Sequence, residues 1–144
     1  PYLKNSASRL IKSPKFYLSD SGLACFLADV DELTSNSPLK GAMLETYFAQ
    51  NLVSILDALW PRARLYFWNI QGRHEVDFII EEGNRCLAIE VKSAARWEKG
   101  DLVSLKAFVA NTPHCRGGIL AYNGTTAVRL GDKLWAIPIS VLLS

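Results

Sequence analysis

The chain has 144 residues, 49% of them hydrophobic, and a formal net charge of +2 at pH 7. This size suits one globular domain with a core of its own, and so small a charge does not by itself support a nucleic-acid-binding protein. Three widely spaced cysteines without a C-x-x-C pair exclude a zinc ribbon or a disulfide framework and are typical of a cytoplasmic protein.

The sequence begins at Pro1 rather than Met and holds no apolar stretch long enough to cross a membrane, so we expect a piece of a longer, non-membrane protein. Residues 1–40 form the leading segment. Within it we predict a strand at 16–18, a helix over 22–27 capped by Ser19 or Asp20, and a loop over 29–38. Positive residues gather near its start, as on many solvated surfaces: Lys4, Arg9, Lys12 and Lys15.

A long amphipathic helix is predicted from about Gly41 to Leu59, ended by the proline at position 61. Glu45 lies on its apolar stripe, one turn before Phe48. A carboxylate on such a stripe is costly to bury alone, so Glu45 either shares a metal ion with other acids or bends out to solvent near the helix N-terminus. Four polar residues are predicted on the solvent face: Thr46, Gln50, Ser54 and Asp57.

After this helix the sequence alternates with a period of two, which predicts strands. We expect a strand at Arg64–Asn69, a hairpin over 75–92, a helix over Lys99–Asn111, and strands at 117–122, 127–130 and 134–137. The Asn123-Gly124 pair predicts a turn that joins the strand at 117–122 to the strand at 127–130. The order is helix, three strands, helix, strand, with additions at both ends.

The hairpin places two acids opposite each other. If Gly83-Asn84 is a two-residue turn, Asp77 falls opposite Glu90 and both side chains point to one face. Opposed Cβ atoms lie roughly 4.5–5.5 Å apart, close enough for two carboxylates to bind one divalent cation. Lys92 projects from the same side of the same strand as Glu90.

Two acids and a lysine in this arrangement suit phosphodiester cleavage. The carboxylates would hold magnesium, and the lysine would steady or deprotonate an attacking water. The simpler alternative is a salt bridge between Glu75 and Lys92 on a solvated face of the sheet.

The order of elements over about residues 41–122 is a helix with an inward Glu, a strand, a hairpin carrying Asp and then Glu-x-Lys, a helix and a strand. This order resembles the PD-(D/E)XK nuclease superfamily. The resemblance implies a mixed α/β restriction-endonuclease-like fold. It assigns catalytic roles to Asp77, Glu90, Lys92 and Glu45, and metal ligation to Asp77, Glu90, Glu45 and the carbonyl of Val91. Val76 replaces the signature proline, at a position that varies widely in the superfamily.

A closer resemblance is to the domain of unknown function that follows the ATPase core in a family of prokaryotic AAA-type ATPases. It rests on five short motifs in order: Pro1-Tyr2-Leu3-Lys4 with Lys12-Ser13-Pro14-Lys15-Phe16-Tyr17, Asp20-Ser21-Gly22-Leu23, Leu44-Glu45-Thr46-Tyr47-Phe48, Glu75-Val76-Asp77-Phe78 and Ile89-Glu90-Val91-Lys92-Ser93. The implied organisation is one nuclease-like domain, residues 1–144, with a leading segment (1–40), a core (41–122) and a C-terminal extension (123–144). ATP would bind only to the missing N-terminal ATPase module.

Two interpretations follow. In the first, the domain is a Mg²⁺- or Mn²⁺-dependent nuclease acting on DNA or RNA, without sequence specificity, and gated by the ATPase. Basic residues near the ends of the active strands would grip phosphates: Arg62, Arg64, Arg73, Arg96 and Lys99.

In the second interpretation the domain docks the ATPase to a partner protein or nucleic acid, and the acidic site is vestigial. Its support is a surplus of aromatic residues: Trp60, Tyr66, Phe67, Trp68 and Trp97. The usual explanation for apolar residues on both faces of the first strand is a central position between helices, which we expect here.

Overall fold

A computed structural model describes residues 15–30, 37, 39–70 and 73–144. The basic residues Lys4, Arg9 and Lys12, the motif at 1–4 and most of the loop predicted at 29–38 lie outside this part of the chain. Within it, no helix is both long enough and apolar enough to cross a membrane.

The described residues form four α-helices, one 3₁₀ turn and six strands, and they follow the predicted order. The helices are α1 (Ser21–Leu27), α2 (Lys40–Leu59), α3 (Val103–Asn111, preceded by the 3₁₀ turn Lys99–Leu102) and α4 (Ile139–Leu142). The strands are β1 (Arg64–Ile70), β2 (His74–Glu82), β3 (Arg85–Lys92), β4 (Cys115–Tyr122), β5 (Val128–Gly131) and β6 (Leu134–Pro138).

The six strands form one mixed sheet in the order β1-β2-β3-β4-β6-β5. β1, β2 and β3 run antiparallel to one another, whereas β3, β4 and β6 run parallel. The predicted pairing of the strand at 127–130 with the strand at 117–122 is wrong, because β5 pairs with β6 instead. The more deeply buried β6 takes the place beside β4, and the exposed β5 forms the sheet edge.

The sheet separates two hydrophobic cores. One lies under α3 and includes Trp68, Val76, Ile79, Ala88, Leu105 and Phe108. The other lies under α2 and α4 and includes Phe48, Leu52, Leu56, Phe78, Ile89 and Ile139. Helices therefore cover both faces, which makes the fold a mixed α/β sandwich.

Two local predictions need correction. Residues 16–18 form no strand, and Leu18 instead accepts a hydrogen bond of 2.6 Å from the Gln50 side chain through its carbonyl oxygen. Thr46, predicted to face solvent, is buried and donates to the carbonyl of Ala42, while Leu59 is exposed. The buried face of α2 is thus rotated relative to the predicted face, so that it includes Leu56 and not Leu59.

β1 was expected in the centre of the sheet and lies at its edge. Both of its faces nevertheless have cover. Trp68 and Tyr66 pack on the α3 core, Leu65 packs on the α2 core, and the Lys15 ammonium lies 5.7 Å from the centre of the Phe67 ring. Aromatic residues on both faces therefore do not require a central strand.

Gly118 on β4 tests the packing between the sheet and α3. A Cβ at this position would lie 2.8 Å from Leu134 Cδ2 and 2.9 Å from Leu105 Cγ, so Gly118→Ala should destabilise the protein by roughly 1–3 kcal/mol. The control is Gly41→Ala on α2, where a Cβ has no neighbour within 4 Å and alanine should stabilise the helix by up to about 1 kcal/mol. Urea unfolding of both variants measures the difference, and equal stabilities would contradict this packing.

Candidate active site at the ends of β2 and β3

The β2–β3 hairpin has the predicted register from its turn to Phe78, and the recorded strand pairing stops before the predicted pair of Asp77 and Glu90. Glu82 lies opposite Arg85, and pairing continues to Phe78 opposite Ile89. Gly83 has a φ of 58°, the conformation needed at the first central position of a two-residue hairpin turn. This register brings the start of β2 alongside the end of β3.

A β-bulge in β2 changes the direction of Asp77. Tyr66 lies opposite Ile79 and Trp68 opposite Val76, so two steps on β1 match three steps on β2. Val76 and Ile79 both pack toward α3 although they are three residues apart. The extra residue breaks the regular alternation at Asp77, as bulges commonly do next to functional sites.

Asp77 lies between β3 and the leading segment and is only 9% exposed. Its Oδ2 accepts a hydrogen bond of 2.9 Å from the backbone N–H of Val91, and its Oδ1 lies 3.2 Å from Lys15 Nζ. Burial, followed by repulsion from Glu45, raises the pKa of Asp77, although the bonds from Val91 and Lys15 oppose the rise. The Asp77 carboxylate thus lies next to two groups of charged side chains.

The first group contains Glu90, Lys92 and Asp101, on the side of the sheet that faces α3. Glu90 Oε1 lies 3.3 Å from Lys92 Nζ, which lies 3.7 Å from Asp101 in the 3₁₀ turn. Glu90 is 9% exposed, and its Oε2 is buried without a hydrogen-bond partner among the described residues. Burial and then repulsion from Asp77 raise the pKa of Glu90 to about 7.

The second group, which we call the acid cluster, comprises Glu45, Glu75 and Asp77. The Lys15 ammonium lies 2.8 Å from Glu45, 2.7 Å from Glu75 and 3.2 Å from Asp77. Burial alone would lower the pKa of Lys15, but hydrogen bonds to Glu45 and Glu75 and the charge of Asp77 outweigh burial and raise it. The ammonium therefore stays protonated.

Glu45 faces Asp77 from α2, and Lys15 lies between them. The Tyr17 hydroxyl donates to the same Glu45 oxygen at 2.5 Å. Lys15 and Tyr17 are site residues that the sequence pattern did not predict. The motif Lys15-Phe16-Tyr17 was the available signal for both residues. It was missed because the positive residues near the start of the chain, Lys15 among them, are typical of a solvated surface. Glu75 pairs with Lys15 and not, as the simpler alternative predicted, with Lys92.

Among the described residues, no group of three or more His, Cys, Asp or Glu side chains is spaced to hold a metal ion. The predicted ligands Asp77, Glu90 and Glu45 therefore do not form a three-acid group. Asp77 and Glu90 still suit Mg²⁺, which is often held by one or two carboxylates together with waters and substrate phosphate. The unpartnered Glu90 oxygen has lone pairs available to bind such an ion. These two residues therefore fit the metal that the resemblance implies.

The predicted phosphate-binding residues are all exposed: Arg62, Arg64, Arg73, Arg96 and Lys99. Arg73 directly precedes β2, and Arg96 and Lys99 follow β3, so these three lie near the sheet end that carries the acids. Arg64 pairs across from Glu81, four residues from Asp77, which is roughly 13 Å along an extended strand. Arg64 is therefore separated from the acids.

Lys15 lines two small clefts, of about 240 and 340 Å³. A larger cavity of about 450 Å³ lies elsewhere, along the C-terminal half of α2, and apolar side chains such as Leu56, Ile80 and Leu143 dominate its walls. The acids do not line that cavity, and we place the candidate chemistry at the acids because the shifted carboxylates are there.

The fold and these residues define a class of protein: a mixed α/β domain with a buried carboxylate pair and a lysine at one end of its sheet. The chain belongs to the family described as "Domain of unknown function (DUF4143)", whose profile matches residues 40–142.

Two similar curated proteins are uncharacterized proteins of Mycobacterium bovis and Mycobacterium tuberculosis. Each is 28% identical over 152 residues, with 100% of this chain and 32% of the relative covered. The chain therefore spans about a third of the length of these relatives. Among solved structures, a Thermococcus gammatolerans assembly of McrB AAA+ hexamers with bound McrC aligns with 68% of this chain and 27% of its own, at 12% identity and a TM-score of 0.48. A score of that size does not establish a common fold.

The raised pKa of Glu90 predicts a pH-dependent penalty on stability. The pKa is about 7 in the folded protein against a usual 4.5, so the native state binds the extra proton, and this stabilisation is lost as pH rises through 7. In metal-free buffer, the free energy of unfolding of Glu90→Gln should equal that of wild type near pH 4.5. At pH 8 it should be higher than that of wild type by roughly 3 kcal/mol. Urea unfolding across this range measures the gap.

The matched control for that series is Glu82→Gln, since Glu82 is exposed at the hairpin turn. Its unfolding free energy should follow wild type at every pH. A Glu90→Gln profile parallel to wild type would show that Glu90 carries no such penalty.

Proposed function

We propose that this chain is the C-terminal PD-(D/E)XK nuclease-like domain of an AAA-type ATPase, and that its acidic site cleaves phosphodiester bonds of DNA or RNA with Mg²⁺ or Mn²⁺. The observation that carries the proposal is the buried pair Asp77 and Glu90, with raised pKa values and an unpartnered oxygen on Glu90. A pair this costly, next to a lysine, is expected at a functional site. The ATPase module, which alone would bind ATP, belongs to the proposal through the sequence resemblance.

Asp77 and Glu90 would hold the metal, with the carbonyl of Val91 as a further ligand. A bound divalent ion would polarise the phosphate and lower the pKa of a bound water. The N–H of Val91 fixes one oxygen of Asp77, and so leaves its ligating direction defined before any ion arrives.

Lys92 would stabilise negative charge and orient the water. Its pKa is raised, because attraction from Glu90 and Asp101 outweighs the effect of burial, so Lys92 is protonated at neutral pH. A protonated lysine cannot remove a proton, and of the two roles considered for it the structure supports the first. Arg73, Arg96 and Lys99 would bind the phosphate backbone beside the site.

The second candidate function is a docking module in which the acidic site is silent. It is favoured by the position of Lys15, whose ammonium already neutralises part of the acid cluster. Partner binding would then use apolar surface such as the exposed Leu59 and Trp60 beside the larger cavity.

Metal binding should stabilise the folded chain. An ion bound only by the native state raises the free energy of unfolding by about 2.7 kcal/mol at a hundredfold excess over its dissociation constant. Mn²⁺ should therefore raise the thermal midpoint of wild type, and Asp77→Asn should reduce the increase. The control is Asp57→Asn, at an exposed position of α2. A wild-type midpoint unaffected by millimolar Mn²⁺ and Mg²⁺ would rule out a competent metal site.

Cleavage should separate the lysine from the acids. With Mn²⁺ and, for the full-length ATPase, ATP, wild type should nick DNA or RNA, and Lys92→Ala should abolish nicking while it still binds Mn²⁺. Asp77→Ala and Glu90→Ala should lose both properties. Lys106→Ala, at an exposed position of α3, should cut like wild type.

Arg96→Ala should instead weaken nucleic-acid binding and flatten its salt dependence, because a phosphate contact releases counterions. Full-length protein that cuts no nucleic acid in the presence of ATP and Mn²⁺ would leave the docking module as the better account.

A further inference from the structure

Lys15 occupies the position in the acid cluster where a cation is most strongly attracted. Its Nζ contacts one oxygen from each of Glu45, Glu75 and Asp77, at 2.7 to 3.2 Å, and its side chain is 24% exposed. The contacts with Glu45 and Glu75 have the lengths of charge-assisted hydrogen bonds, and the contact with Asp77 is slightly longer. The ammonium therefore neutralises carboxylates that would otherwise repel one another.

Neighbouring contacts hold Lys15 in this position. The Tyr17 ring lies 5.9 Å from the Phe78 ring, and the Tyr17 hydroxyl binds Glu45. One residue further on, the Leu18 carbonyl accepts the bond from Gln50 on α2. Three consecutive contacts with α2 and β2 dock this stretch, which distinguishes Lys15 from a surface lysine that drifts between partners.

The position of Lys15 excludes a second cation from the same oxygens. Asp77 Oδ2 is bonded to Val91 and its Oδ1 to Lys15, while the Glu45 oxygen that meets Lys15 also accepts from Tyr17. A divalent ion that bound Asp77 and Glu45 together would have to displace the ammonium. Glu90 Oε2 has no such occupant among the described residues.

We infer that Lys15 is a built-in competitor of the divalent cation, so that docking of residues 15–18 and full metal loading at Asp77 and Glu45 exclude each other. This inference rests on the proposed metal-dependent function and names its regulation. Withdrawal of residues 15–18 frees the oxygens of Asp77 and Glu45 that Lys15 occupies. Conversely, metal binding releases the segment, because linkage between the two is reciprocal.

Calorimetric titration of the chain with Mn²⁺ tests the competition directly. Lys15→Met should bind Mn²⁺ about tenfold more tightly than wild type or better, because removal of one opposing charge at contact distance is worth at least that factor. Lys15→Arg, which keeps the charge, should not gain affinity. Lys106→Met removes a lysine from the exposed face of α3 and should bind like wild type.

Limited trypsin cleavage of the wild-type chain provides a second measurement that needs no variant at position 15. If metal binding releases the segment, saturating Mn²⁺ should speed cleavage of the Lys15–Phe16 bond several-fold. Asp77→Asn should reduce this acceleration. This readout decides the question even if Lys15→Met fails to fold without metal.

The outcomes separate the inference from the function on which it rests. The inference is overturned, and the metal site left intact, if wild type binds Mn²⁺ but Lys15→Met has no higher affinity and Mn²⁺ does not speed trypsin cleavage at Lys15. A tighter Lys15→Met that cuts no nucleic acid supports the competition and contradicts the nuclease. No Mn²⁺ binding by any of the proteins overturns both.

Discussion

Negative charge at one end of the sheet is the constraint on which residues 15–18, α2 and the hairpin all depend. Glu45 comes from α2, Glu75 and Asp77 from β2, and Glu90 from β3, so four carboxylates from three elements meet there. Lys15 offsets the charge on the α2 side and Lys92 on the α3 side. The docking of residues 15–18 onto the domain is thus tied to the ionisation of the site.

The bulge at Asp77 makes this arrangement possible. In a regular hairpin Asp77 and Glu90 would point to the same face, and Glu45 on the opposite side of the sheet would be out of reach. Since the extra residue changes the direction of Asp77, one of its oxygens reaches Lys15 and the other reaches the backbone N–H of Val91. The bulge therefore links the α2 side of the sheet to the α3 side through a single carboxylate.

Local pattern predicted the hairpin well, because its register depends on the period of two and on Gly83 in the turn, both readable from the sequence. The bulge was not predictable, since Glu75 to Phe78 alternate as a regular strand would. Nor was the role of Lys15, which meets Asp77 across 62 positions of sequence. The partner of β4 was missed for a related reason: a local turn signal favoured β5, while burial of the more apolar β6 decided the pairing.

Lys15 neutralises the acid cluster but does not contact Glu90, and this difference explains why a cation is still needed there. An ammonium contributes one charge and three donors, all of them used here by Glu45, Glu75 and Asp77. Glu90 receives only Lys92 on one oxygen, and its other oxygen stays unpartnered and buried among the described residues. A divalent ion would bring twice the charge and could reach Asp77 and Glu90 together. The docked segment therefore lowers the repulsion without removing the demand for a metal, which leaves the two occupants in competition for Asp77.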